Sequence, residues 1–168
     1  MTELPTDLLD LAKDVLVAAK AADARIVTAE SCTGGLISSC LTAIAGSSTV
    51  MDAGFVTYSN DSKIRLIGVP RDAIAEHGAV SDVVAAAMAE GALAQADANI
   101  AISCTGIAGP DGGTKDKPVG LVFLALAQTD QDASVKRYVF AGTRTDIRRA
   151  TVAAALELLL ARLKTDDS

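Results

Sequence analysis

The chain of 168 residues has no Trp, two Tyr, three Phe, one His, three Cys and four Pro. Each shortage excludes something. With aromatics at 3 % there is no row of rings on which single-stranded bases could stack. Acidic residues outnumber basic ones 21 to 15, for a net charge of −6 and a pI near 4.7, so the basic face that nucleic-acid binding needs is missing. No apolar run reaches membrane-spanning length. The start, Met1-Thr2-Glu3-Leu4-Pro5-Thr6-Asp7, lacks the basic residues that open a signal peptide, so a cytoplasmic chain with no membrane partner is expected. Cys32, Cys40 and Cys104 are too few and too irregular for a disulfide framework, and His77 alone offers a zinc ion hardly any ligand.

What is present is a globular balance, 50 % hydrophobic and 21 % charged, over a length that suits one domain spanning residues 1–168. Apolar residues Leu8, Leu9, Leu11, Val15, Leu16 and Ala19 form a helical stripe over 8–22. A strand is predicted over 25–28, a helix after Ser31, a β-rich strand over 54–58 and a short helix around Lys63 that ends at Gly68 and Pro70. Ser81 caps an Ala-rich helix over 82–96. Strands follow at 99–103, 119–127 and 135–140, the last two paired across Thr129-Asp130-Gln131-Asp132. Thr143 caps a final helix that reaches about residue 163, with Asp146 in its first turn. Helices before, between and after the strands imply an α/β fold, a layered α/β/α domain with a mixed, mainly parallel sheet.

The chemistry concentrates at strand ends. Thr28-Ala29-Glu30-Ser31-Cys32-Thr33-Gly34-Gly35 runs from a strand into a helix, where free amides and the helix dipole favour negative charge. That setting suits a serine nucleophile beside an oxyanion hole, an anion cradle, or simple capping by Ser31 and Thr33. Cys32 shares the helix N-terminus, a place that stabilises a thiolate. A second strand end delivers Tyr58, with Asn60 and Lys63 beyond it; a Tyr58/Lys63 pair could take the serine proton if each lowered the other's pKa. Either residue could equally be ordinary, a strand-end tyrosine and a solvated lysine. His77 reads as a loop or helix-end residue. The third strand end opens a loop, 105–113, with four glycines, which suits close approach of backbone to a phosphate or merely a long hairpin. Arg144 and Arg148 lie four apart at the last helix's start, where a bound anion would offset their conflict with the dipole.

Five ordered motifs carry a resemblance: 28–35, Gly54-Phe55-Val56-Thr57-Tyr58-Ser59-Asn60, His77-Gly78-Ala79-Val80-Ser81, 105–113 and Lys117-Pro118-Val119-Gly120. Over residues 8–163 the sequence closely resembles the CinA C-terminal domain family, and looks like its stand-alone amidase form. The resemblance implies an enzyme that deamidates nicotinamide mononucleotide to nicotinate mononucleotide and ammonia, in pyridine nucleotide recycling, with neither metal nor cofactor. It implies Ser31 as nucleophile and Tyr58 and Lys63 as the proton relay. Backbone amides near Thr33, Gly34 and Gly35 would hold the oxyanion, and Thr105, Gly106 and Arg144 or Arg148 the ribose phosphate. A homodimer or larger homo-oligomer is implied, for which the helix over 82–96 and the apolar strands could supply the contact. Cys104 departs from many relatives, without expected consequence.

Two other readings remain. Penicillin-recognising enzymes also use Ser, Lys and Tyr, but place the lysine three residues after the serine, where this chain has Gly34. A non-catalytic nucleotide-binding or regulatory module would use the same loops and leave Ser31 as a cap.

Overall fold

Alternation along the central strands sends side chains to two faces, and a helical layer covers each. The computed structural model describes residues 4–165; the first three residues of the N-terminal stretch discussed above lie outside them. The strands are β1 (Ile26–Glu30), β2 (Met51–Val56), β3 (Ile100–Gly106), β4 (Leu121–Gln128) and β5 (Gln131–Val139). They form one sheet in the order β2-β1-β3-β4-β5. β1 pairs in parallel with β2 and β3, while β3–β4 and β4–β5 are antiparallel, so β4 alone runs against the others. The sheet is mixed, as expected, in an α/β fold.

Ile26, Ile102, Leu124 and Val122 point to one core, under α1 (Thr6–Ala21), α2 (Leu36–Thr42) and α6 (Arg144–Thr165). Val27, Ala29, Ala101, Ala125 and Ala127 point to the other, under α3 (Asn60–Ile67), α4 (Arg71–His77) and α5 (Asp82–Gln95). On this second face small meets small. Ala85, Ala89 and Ala92 of α5 are fully buried against the sheet. Local signals hold at the helix starts: Ser81 accepts from Val84 N, Ser59 and Ser62 form a capping box, and Thr143 and Asp146 cap one another.

Strand ends differ from the predicted ones, and the differences bear on the site. β1 continues two residues beyond 28 because Glu30 is paired on both sides, its carbonyl accepting from Thr57 N and its register partner being Cys104. β2 lies earlier than 54–58 and stops at Val56, which leaves Tyr58 outside the sheet. β3 extends through Thr105 and Gly106. α4 was not foreseen: Pro70 looked like a terminator but serves as its N-cap residue. Among the described residues no helix is long and apolar enough to cross a membrane.

Candidate active site

The parallel strands β1, β2 and β3 end at one edge of the sheet, where ligands of open α/β sheets bind. Ser31 follows β1 directly and is buried, its N–H donating to Cys104 O at 3.1 Å. The chain then turns through Gly34 and Gly35, at φ 61° and 99°, before α2 begins; side chains there would be strained. Neither Ser31 nor Thr33 caps α2. Glu30 does, its carboxylate accepting from the amides of Gly35, Ile37 and Ser38 at 3.1, 3.0 and 2.8 Å. Gly34 N donates to Ser31 O, so both glycine amides are engaged. The amides in this turn without a protein acceptor among the described residues are those of Cys32 and Thr33.

Lys63 arrives from the neighbouring strand end. Thr57 is tied to Glu30, the Ser59 capping box starts α3, and one turn later Lys63 points back under Thr57. Its Nζ lies 2.7 Å from Thr57 O and 3.0 Å from Ser31 Oγ, and the residue is 1 % exposed. As an ammonium it donates to both; as an amine it can accept the serine proton. No carboxylate is paired with it among the described residues. Burial therefore dominates and lowers its pKa below the ordinary lysine value.

A stability consequence follows with a definite sign. Between the depressed folded pKa and the ordinary value near 10.4, the unfolded chain holds the proton and the folded chain does not. The penalty for burying the ammonium is thus complete below the folded pKa and fades as pH rises through that window. Relative to Lys63→Met, the wild-type protein is expected to gain stability from pH 7 to 10, read as the difference in urea unfolding free energies. A difference that does not change with pH would contradict a desolvated lysine.

A cavity of about 230 Å³ opens above this pair, lined by Ser31, Cys32, Tyr58, Lys63, Thr105 and Arg144 among others. Tyr58 does not bond to Lys63. Its phenol accepts from Arg144 Nη2 at 2.9 Å, and Arg144 Nη1 donates to Gly109 O at 2.9 Å. Thr105 donates to Ala79 O at 2.7 Å, and Gly106 sits beside it on the cavity wall. The glycines of the 105–113 loop serve packing more than ligand approach: a Cβ on Gly109 or Gly113 would run into Val119. Arg148 is not brought here. It donates to Thr33 O at 2.8 Å and lines a separate groove with Leu4, Pro5, Leu8 and Leu36. His77 ends α4 and does not line the cavity.

Nor does its place near the helix N-terminus favour a thiolate at Cys32. Its thiol is held well above the ordinary range by a hydrogen bond to Cys104 and by burial, and burial pushes Cys40 up to about 11. Sequence reading missed Glu30, Ala79 and Val80 as parts of the site. Among the described residues no cluster of His, Cys, Asp or Glu could hold a metal ion.

A buried lysine amine touching a serine hydroxyl, at the carboxyl ends of three parallel strands, places the molecule among α/β domains with a candidate Ser–Lys centre. The chain belongs to the CinA C-terminal domain family, whose profile matches residues 8–163. It is 47 % identical over 154 residues to "Nicotinamide-nucleotide amidohydrolase PncC" of Escherichia coli K12, covering 92 % of this chain and 93 % of that one. It is 54 % identical over 140 residues to a "CinA-like protein" of Geobacter sulfurreducens, covering 83 % of this chain and 34 % of that longer one. Among solved structures, competence/damage inducible protein CihA from Agrobacterium tumefaciens superposes with a TM-score of 0.93 at 46 % identity, over 98 % of this chain and 99 % of that one.

Proposed function

We propose that this chain is a nicotinamide-nucleotide amidohydrolase that deamidates nicotinamide mononucleotide in pyridine nucleotide recycling, through an ester on Ser31. The observation that carries the mechanism is the Lys63 amine, buried and 3.0 Å from Ser31 Oγ. Family membership and the name of the Escherichia coli relative support the substrate.

Neutral Lys63 takes the Ser31 proton as Oγ attacks the carboxamide carbon. The oxyanion is received by the Cys32 amide, which lines the cavity, has no protein acceptor among the described residues and follows the nucleophile directly, as in many serine hydrolases. Lys63 returns the proton to nitrogen as the C–N bond breaks and ammonia leaves. Water then attacks the ester, giving its proton to Lys63, and Ser31 recovers a proton as nicotinate mononucleotide departs. Tyr58 accepts from Arg144, so its own O–H stays free to bond the leaving nitrogen.

A cavity of about 230 Å³ is smaller than most ligand pockets, so it holds the pyridine carboxamide while the ribose phosphate lies over the mouth. Thr105, Gly106 and Arg144 border that mouth, and we give the phosphate to Arg144. Arg144→Ala is expected to weaken nicotinamide mononucleotide about tenfold more than nicotinamide riboside, the worth of one charged hydrogen bond. Equal losses would remove Arg144 from the phosphate. We assign the reaction to the cytoplasm and the chain to a homodimer or larger assembly.

The test is ammonia release from nicotinamide mononucleotide, with one nicotinate mononucleotide expected per ammonia. Tight binding without turnover would favour the non-catalytic nucleotide-binding module.

A further inference from the structure

We propose that Glu30 is the positioning residue of this reaction: by anchoring α2 to the sheet it fixes the 31–35 turn, so that the Ser31 hydroxyl and the free Cys32 amide face the scissile group. This rests on the reading of Ser31 as nucleophile.

Glu30 is 0 % exposed, and among the described residues no cation is paired with it. A buried carboxylate is tolerated only when its oxygens are well supplied with donors. Here one oxygen accepts from Ser38 N and Ser38 Oγ, both at 2.8 Å. The other accepts from Thr33 Oγ1 at 2.6 Å and from the amides of Gly35 and Ile37. Five donors exceed what capping a seven-residue helix requires, since one serine or threonine oxygen usually suffices.

The two ends of this strut belong to different bodies. Glu30's backbone is held by the sheet, through Thr57 N on one side and the Cys104 register on the other. Its donors all lie beyond Ser31, in the turn and α2. The nucleophile is therefore bracketed between the carboxylate's own backbone and its partners.

A second line reaches the same oxygen. Thr33 Oγ1 gives its proton to Glu30, so at 3.0 Å it can only accept from Cys104 Sγ, which belongs to β3. Thr33, two residues after Ser31, is thus tied to Glu30 and to the neighbouring strand at once. The same carboxylate occupies the leading amides of α2, which takes that helix end away from any substrate anion and leaves Cys32 N and Thr33 N unpaired.

Glu30→Gln keeps the shape but turns an NH2 toward one set of donors. At a temperature where circular dichroism shows the variant folded, kcat on nicotinamide mononucleotide is expected to fall about 100-fold, the scale of a lost oxyanion donor. KM and the affinity for nicotinate mononucleotide are expected to stay within about threefold of wild type. Binding of pyridine-3-boronic acid, whose boron takes up the serine oxygen as a tetrahedral adduct, is expected to weaken in parallel with kcat. Glu30→Asp, one methylene short of α2, is expected not to rescue. A lower melting temperature with wild-type kcat and boronate affinity would make Glu30 merely structural and overturn the inference.

If Glu30→Gln does not fold, Ser38→Ala decides, because Ser38 does not line the cavity and supplies Glu30 with one hydroxyl donor. About a fivefold loss of kcat at constant KM is expected, and a wild-type kcat overturns the inference. Ser31→Ala separates the two levels. An active Ser31→Ala brings down the nucleophile and this inference together. An inactive Ser31→Ala beside a fully active Glu30→Gln brings down only the role of Glu30.

Discussion

Ser31→Ala is expected to release ammonia from nicotinamide mononucleotide at least roughly 10⁴-fold more slowly than wild type, with substrate affinity within about threefold. The size of the loss follows from what one atom does. Among the described residues Ser31 Oγ is the only serine oxygen that hydrogen-bonds the Lys63 amine, and that contact, at 3.0 Å, is its only hydrogen bond. Removing it takes away the acyl acceptor and leaves water to attack directly, while the cavity walls stay in place. The turn is not expected to collapse, because it is held by Glu30 and by Ser31 N on Cys104 O, neither of which needs the hydroxyl. Isothermal calorimetry for binding and an ammonia assay for turnover separate the two effects. A variant that kept its rate within tenfold would mean the carboxamide is attacked by water, with Ser31 a bystander.

Lys63→Met is expected to cost about 10³-fold in kcat, in the usual range for a positioned general base, again with little change in binding. The pH profile is the sharper readout. Only the neutral amine accepts a proton, and burial lowers the lysine pKa, so the wild-type rate should climb with pH through a single ionisation below the ordinary lysine value and then level. Below that pKa the rate falls about tenfold per pH unit. Lys63→Met is expected to lose this ionisation. Lys63→Arg, which stays charged, is expected to be as inactive as Lys63→Met. A wild-type profile flat from neutral to alkaline pH, with chemistry rate-limiting, would remove Lys63 as the base.

The strand-to-helix junction at Ser31 was readable from sequence because its signals are local: an apolar run, small polar residues, then glycines at positive φ. So were the caps at Ser81 and Thr143 and the fold class. Lys63 was harder to read. On the short helix it looked solvated, and its burial depends on the ends of β1 and β2 converging, which pairing creates and no local pattern reports. The proposed mutual tuning of Tyr58 and Lys63 is not supported by the observed contacts. Because β2 stops at Val56, Tyr58 leaves the sheet and meets Arg144 instead. Arg144 and Arg148 do share a helix, yet one reaches the cavity mouth and the other the Thr33 carbonyl. Glu30 was passed over since glutamate rarely goes fully inside; its five donors come from residues three to eight positions later, arranged only once α2 has formed.

Partition of the acyl group between water and hydroxylamine tests the serine ester most directly. Nicotinamide mononucleotide and the methyl ester of nicotinate mononucleotide would pass through the same ester on Ser31. The ratio of hydroxamate to acid is therefore expected to be identical for both at each hydroxylamine concentration. Ratios that differ with the leaving group would show that no common acyl-enzyme forms.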